Sequence, residues 1–328
     1  MLTSHLRTFV LAAGCAAYAL PVAAQDFQFR VNMPGNEQSI AYQSVDRFNT
    51  VLGELTDGAV RLNLFANSAL GDQDASLEAM QTGLLDMATI ETPITSVVPE
   101  LGATALPYIF ASREHVAAAL EGEAGDLIEE MLLEKGLRVV GFLEGGFRQI
   151  TNNRRPIHTP EDLSGLVIRT PESALRIRIF NHYGANASPL PFSELYSALQ
   201  TGVFDGQENP VIWVQSQRFF EVQDYLSLTN HLYTVTYLLI AEDKFQELPE
   251  EHQEAMLQAG QAAAEYSVEL GTTADAEIVS FLEEQGMEVN EADTEAFIAM
   301  SEEIWAEWAA EQSPAAQELI DLIIQARP

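Results

Sequence analysis

PFSELYSALQTGVFDGQENP, residues 191–210, read with IRTP at 168–171, sets an arginine and an asparagine into one small α/β unit. Residues 166–169 make a four-residue β run, and Thr170-Pro171 then supplies an N-cap followed by proline at the first helical position. Arg169 is therefore expected to end a strand. In open α/β sheets the carboxyl ends of strands face the ligand crevice, and a guanidinium there offers two parallel N–H donors to a carboxylate. Downstream, Leu195, Ala198 and Leu199 give the i, i+3, i+4 face of a short helix ended by Gly202. Val203-Phe204 resumes a strand, and Asp205-Gly206 turns the chain. Asn209 precedes Pro210, which disfavours α geometry at Asn209 and makes Pro210 a natural first helical residue. The Asn209 amide is thus expected at a helix N-terminus, where anionic groups are well received. On the residues alone, Arg169 could equally pair with an acid such as Glu172, and Asn209 could simply be an N-cap.

Around this unit the pattern reads as two lobes. Residues 27–32 form a strand, 40–55 an amphipathic helix and 60–65 a second strand, a βαβ start. Asp72 caps a helix through Thr82 with Leu77, Met80 and Leu84 on one face, and residues 85–91 return to the sheet and end at Glu91. A helix over 113–135 and a strand over 137–143 complete the first lobe, and Gly145-Gly146 offers a flexible crossing. Residues 233–241 are β-rich. A helical pattern over 249–285 contains no internal proline and is long enough to reach across both lobes. The expected division is lobe I over 25–145, lobe II over 146–232, a return to lobe I over 233–275, and C-terminal helices over 276–328 lying largely on lobe II. In those last helices Trp305, Trp308, Leu319 and Ile323 read as packing residues.

GGFRQITNN (145–153), IRTP and FDGQENP (204–210) resemble the corresponding segments of the solute-binding proteins of tripartite ATP-independent periplasmic (TRAP) transporters, a resemblance running from about residue 27 to the C-terminus. It implies an α/β fold, a two-lobed periplasmic-binding-protein-like clamshell with mixed sheets and a long helix spanning both lobes. It also implies capture of an organic acid and its delivery to membrane permease subunits driven by an ion gradient. By resemblance Arg169 clamps the substrate carboxylate, Asn209 hydrogen-bonds the same group or an adjacent oxygen, and Arg148 is a second ligand-facing arginine. Asn152 is a further candidate, and alternation puts Arg148, Ile150 and Asn152 on one strand face. Phe192 matches an aromatic that closes over the ligand, and Trp213 lies one helical turn past Asn209. Without the resemblance both read as core. On the first lobe Asn32, Gln73 and Glu91 match ligand-contacting positions, with Glu91 accepting from substrate hydroxyl or amine groups. Sialic-acid-binding members carry an arginine three residues after that acid, and here the residue is Ile94. The resemblance thus disfavours sialic acid and favours a sugar acid such as a uronate, with a C4-dicarboxylate or hydroxy acid next. The same lobes would also serve a sensor subunit of a signalling receptor.

The N-terminus independently reads as an export signal. Arg7, an apolar run over 8–20 and Val22-Ala23-Ala24 make a cleaved signal peptide of residues 1–24, so the expected location is the periplasm. The apolar run is too short to span a bilayer. Cys15 is the only cysteine, and Ala-Ala-Gly-Cys at 12–15 only loosely resembles a lipoprotein cleavage box. Cleavage after Ala24 removes it, and thiol chemistry with it. The formal charge is −33 over 328 residues, with no basic stripe, which excludes nucleic acid as a partner. Such a field repels an incoming anion at low ionic strength, whereas salt screens the distant acids and leaves a buried arginine unscreened. Six arginines crowd into residues 148–178. Of these, Arg154, Arg155, Arg176 and Arg178 read as surface decoration. No HExxH, GxSxG, P-loop or GxGxxG motif occurs, the histidines lack metal-ligand spacing, and Asp72-Gln73-Asp74 supplies too few oxygens for a calcium loop. The expectation is a monomer without metal, cofactor or enzymatic activity.

Overall fold

Alternation along FQFRVN turns Phe27, Phe29 and Val31 inward and makes Phe27–Asn32 the first strand, β1. The computed structural model describes residues 26–328, so the signal-peptide reading and Cys15 lie outside the described residues. Helix α1 (Ile40–Leu55) begins on Ser39, whose hydroxyl accepts from the Tyr42 amide, and leads into β2 (Val60–Phe65), parallel to β1. The predicted βαβ start is present. Helix α2 (Gln73–Gln81) begins on Asp72, whose carboxylate accepts from the Ala75 amide, and β3 (Met87–Ile90) follows, wholly buried. Leu84 departs from expectation. The chain leaves the helix at Thr82 and reverses at Gly83 (φ +73°), which puts Leu84 in solvent at 70% exposure. The helix expected over 113–135 is two helices, α3 (Arg113–Leu120) and α4 (Glu123–Leu133), because Gly122 between them is extended.

Strand β4 (Leu137–Asn152) is sixteen residues long and runs straight through Gly145-Gly146. After it come β5 (Val167–Thr170), α5 (Ala174–His182), β6 (Asn186–Pro189), α6 (Leu195–Gln200), β7 (Gly206–Pro210), α7 (Val211–Ser216), β8 (Tyr225–Leu228) and β9 (Tyr233–Ala241). The chain closes with α8 (Glu242–Gln246), α9 (Glu250–Glu284), β10 (Glu288–Glu291), α10 (Thr294–Glu311) and α11 (Pro314–Gln325). The strand order is β2-β1-β3-β9-β4-β7-β5-β6, with β8 joining β4 to β10. The first half of β4 pairs with β9, and its second half pairs with β7 and β8. One strand therefore belongs to both half-sheets. The expected flexible crossing is instead a bulge in the β4–β9 ladder between Glu144 and Gly146. Glycine is required there: a Cβ on Gly145 would lie 2.3 Å from the Thr234 carbonyl oxygen, and Gly146 has φ +100°.

Helix α9, 35 residues long, lies on α1 and β4 and reaches α7 and β10 in the other half, the predicted spanning helix. The C-terminal pair divides between the halves: α10 packs on α5, whereas α11 packs on α4 and on residues Pro99–Ala105. Trp308 is buried over Gly102, and the Trp305 indole donates to the Pro107 carbonyl, so both tryptophans serve packing. Among the described residues no helix is long and apolar enough to cross a membrane. The closest approach of α9 to the sheet is at Gly260, where a Cβ would stand 1.5 Å from the Val140 carbonyl oxygen. Gly260→Ala is expected to destabilise the fold by about 2 kcal/mol or more, read from the midpoint of urea unfolding.

Candidate functional site

Strand β5 carries Arg169 into the space between the half-sheets. Its last residue is Thr170, and the next helix begins three residues later, on Ser173, whose hydroxyl accepts from the Arg176 amide. The N-cap expected at Thr170 is therefore at Ser173, because Thr170 is still paired with Pro189 of β6. Arg169 is 2% exposed and donates from Nε and Nη2 to one acceptor, the Leu190 carbonyl, at 2.8 and 2.5 Å. Among the described residues it has no carboxylate within 4.0 Å, so the alternative of a structural pair with Glu172 does not hold. Burial pushes its pKa down to about 9, since a charge removed from water without a partner is costly. Phe192 lies 6.0 Å from the guanidinium carbon and packs edge-on against Trp213 at 5.0 Å and Phe219 at 6.1 Å.

Behind Arg169 stands a carboxylate that the sequence reading passed over. Glu208, the acid of GQENP, is fully buried. Arg148 donates to it from Nε and Nη2, Arg176 donates from Nη1 to both of its oxygens at 2.8 Å, and His231 Nε2 lies 3.2 Å away. Burial alone would raise the Glu208 pKa, but Arg148, Arg176 and His231 outweigh it and hold the carboxyl well below its usual range. Burial pushes the His231 pKa down. Arg176 is thus no surface residue: it is 1% exposed. The signal was its spacing, since Arg176 shares a helix face with buried Ile179 and Phe180. Arg154 and Arg155 are exposed, as expected, and Arg178 is half-buried in a pair with Glu311.

Arg148 donates further to the Asn209 side-chain oxygen at 2.9 Å and to the Thr234 hydroxyl at 2.9 Å. Asn209 is not at the head of a helix. It pairs with Gln149 inside β7, gives its amide hydrogens to Gln207, and buttresses Arg148, while Pro210 caps the short α7. Two expected contacts fall elsewhere. Asn32 spends its amide on the Gly71 carbonyl, the Ser76 hydroxyl and the Leu70 amide, tying down the turn before α2. Asn152, at the far end of β4, caps the turn at Arg154 and Arg155.

From the first half, Gln73 accepts from the Glu91 amide at 2.6 Å, and Glu91, buried at the end of β3, accepts from Thr236 at 3.3 Å. Burial pushes the Glu91 pKa up against the opposing pull of Arg148, Thr236, Arg176 and Arg169. The halves touch directly: Asn36 donates to the Ser216 carbonyl at 2.6 Å, and Gly35 sits under the Trp213 ring. Two of the spaces at this junction hold about 20 Å³ each. One is lined by Gln73, Asp74, Arg169, Glu172 and Phe192, the other by Glu91, Arg176, Thr104, Thr234 and Tyr237. Each has room for one water. Neither space has room for a solute of sugar size.

Arg169 is thus a buried arginine without an acid that faces Gln73 and Asp74 of the other half. The family model for bacterial extracellular solute-binding protein, family 7 (DctP), matches residues 31–312. The chain belongs to this family. It is 35% identical over 288 residues to the 2,3-diketo-L-gulonate-binding periplasmic protein of Escherichia coli K12, covering 87% of each chain. A TRAP periplasmic solute-binding protein of Sulfitobacter sp. NAS-14.1, solved with bound β-D-galacturonate, matches with a TM-score of 0.87 at 29% identity, over 91% of this chain and 99% of that one. A TRAP periplasmic solute-binding protein of Sulfurospirillum deleyianum, solved with succinate, matches with a TM-score of 0.85 at 28% identity, over 92% and 100%.

One contact between the halves carries a pair of titratable groups. Asp74 on α2 lines the same small space as Glu172 after β5, and its pKa is pushed up to about 7 by burial, then by Glu172, then by Asp72. The folded value lies above the unfolded one. The contribution is thus present at acid pH and lost as pH rises through about 7. Wild-type protein is expected to be more closed at pH 6 than at pH 8, and Asp74→Asn to flatten the difference, read from the radius of gyration by X-ray scattering. Glu208→Gln leaves Arg148 and Arg176 short of their shared counter-charge and is expected to cost about 3 kcal/mol in urea unfolding.

Proposed function

We propose that this protein captures a sugar acid in the periplasm and hands it to the membrane permease subunits of a TRAP transporter. The observation that carries the reading is Arg169: fully desolvated, bonded only to a carbonyl, and placed where the two halves meet. A carboxylate docked on its fork would restore the missing counter-charge with paired, charge-assisted hydrogen bonds. Phe192 and Trp213 supply an apolar wall for the carbon skeleton, and the hydroxyls of Thr104, Thr234 and Tyr237 together with Glu91 supply partners for substrate hydroxyls. Related proteins hold a uronate or bind a diketo sugar acid, which supports the same ligand class. Ile94, buried at 2% exposure, leaves no cation three residues past Glu91 for sialic acid. The succinate-holding relative supports a four-carbon dicarboxylate as the second reading. Export by the signal peptide over 1–24 and action as a monomer complete the proposal.

Affinity in the micromolar range corresponds to about 8 kcal/mol, of which one desolvated bidentate pair supplies a few. The route to the ligand is a thermal-shift screen of organic acids followed by calorimetry, because a tight ligand raises the melting point by mass action. Arg169→Lys is expected to weaken the identified acid by about tenfold or more, since lysine is a point charge and cannot reproduce the fork. Unchanged affinity in that variant would refute the clamp.

A further inference from the structure

Nε of Arg176 is a buried polar atom with nothing to bond. Its Nη1 serves both oxygens of Glu208. Yet Nε is buried, has no acceptor, and belongs to a residue lining the small cavity shared with Glu91, Thr104, Thr234 and Tyr237. A buried N–H without a partner costs free energy comparable to a lost hydrogen bond, so the site is short of one acceptor oxygen at this point. Across the same cavity Glu91 offers the opposite chemistry, an acceptor carboxylate. One group satisfies both together: a hydroxyl, which accepts from the arginine through its oxygen and donates its hydrogen to the carboxylate.

The charge count points the same way. Of the three buried arginines, Arg148 and Arg176 already share Glu208, and Arg169 has no carboxylate, so a substrate carboxylate belongs on Arg169. A second one in the far cavity would sit against Glu91, a like-charge approach that a desolvated site penalises heavily. Arg176 could not accommodate it without releasing Glu208, to which two other groups are also fastened.

We propose that Arg176 and Glu91 form a hydroxyl-selecting subsite, so that this protein takes polyhydroxy monocarboxylates and rejects the corresponding dicarboxylates. The inference rests on the sugar-acid reading above and narrows it. Arg176 acts here as a specificity-determining residue as well as a support for Glu208.

Aldonates and aldarates test it cleanly, because D-galactonate and galactarate differ only in a terminal hydroxymethyl replaced by a carboxylate. Calorimetry on the whole protein with D-galactonate, D-gluconate, galactarate, glucarate and succinate is expected to give aldonates tighter than their aldarates by about tenfold or more. Arg176→Lys keeps a cation beside Glu208 but has no Nε–H, and is expected to lose about tenfold on the aldonates while changing succinate less than about threefold. Glu91→Gln is expected to shrink the aldarate-to-aldonate ratio of dissociation constants by about tenfold. Should Arg176→Lys fail to fold, judged by its thermal midpoint, Glu91→Gln carries the test alone. Equal weakening of every acid by Arg176→Lys, or an unchanged ratio in Glu91→Gln, would overturn the subsite. Wild-type protein that binds aldarates or succinate more tightly than aldonates would overturn it too while leaving organic-acid capture standing. Wild-type protein that binds no carboxylate in the panel would overturn both.

Discussion

A single buried carboxylate organises the centre of this molecule. Glu208 gathers Arg148 from β4, Arg176 from α5 and His231 from the approach to β9, three elements far apart in the chain. Isolated charges in a protein interior cost several kcal/mol each, so none of these side chains could be buried without the others. Such a cluster adds little net stability over an apolar core of the same volume. What it adds is position. Arg148 is held on both edges of its guanidinium and in turn holds Asn209, so the floor beneath Arg169 is rigid before any solute arrives.

Arg169 differs from its two neighbours in what it lacks. Arg148 and Arg176 are neutralised by the protein itself, whereas Arg169 leans on a backbone carbonyl, a dipole that satisfies its hydrogens but not its charge. The acidic surface, −33 over the chain, makes that contrast functional. An anion gains nothing by lingering outside and gains a full counter-charge inside. Capture is therefore decided by contact in the desolvated cleft rather than by attraction at a distance.

Most of the framework was legible because it follows from local periodicity. The βαβ start, the caps at Ser39 and Asp72, the buried run of β9 and the uninterrupted α9 all obey short-range rules of alternation, capping and the absence of proline. Errors arose where a single residue answers to a distant partner. Arg176 reads as surface until Glu208 is seen beside it, and Asn32 reads as a ligand contact until Gly71 and Ser76 are found to occupy its amide. Gly122 divides two helices that the apolar pattern alone would join, and Gly145-Gly146 reads as a loose joint although both residues lie in a paired strand. The place of Arg169 at a strand end was legible from the β run and the proline that follows it. Its counter-ion network was not, because strand period and helix face specify which residues are buried but not which charges meet.

The passage of β4 through both half-sheets has a mechanical meaning. Two bodies joined by slack linkers can drift apart and close from many directions, whereas bodies sharing one paired strand can only wind about it. β4 and α9 both run through the two halves, and the bulge beside Gly146 is where the β4–β9 ladder departs from regular pairing. A membrane partner that must tell a filled carrier from an unfilled one can do so by the relative orientation of two rigid faces, with no need to sense the solute itself.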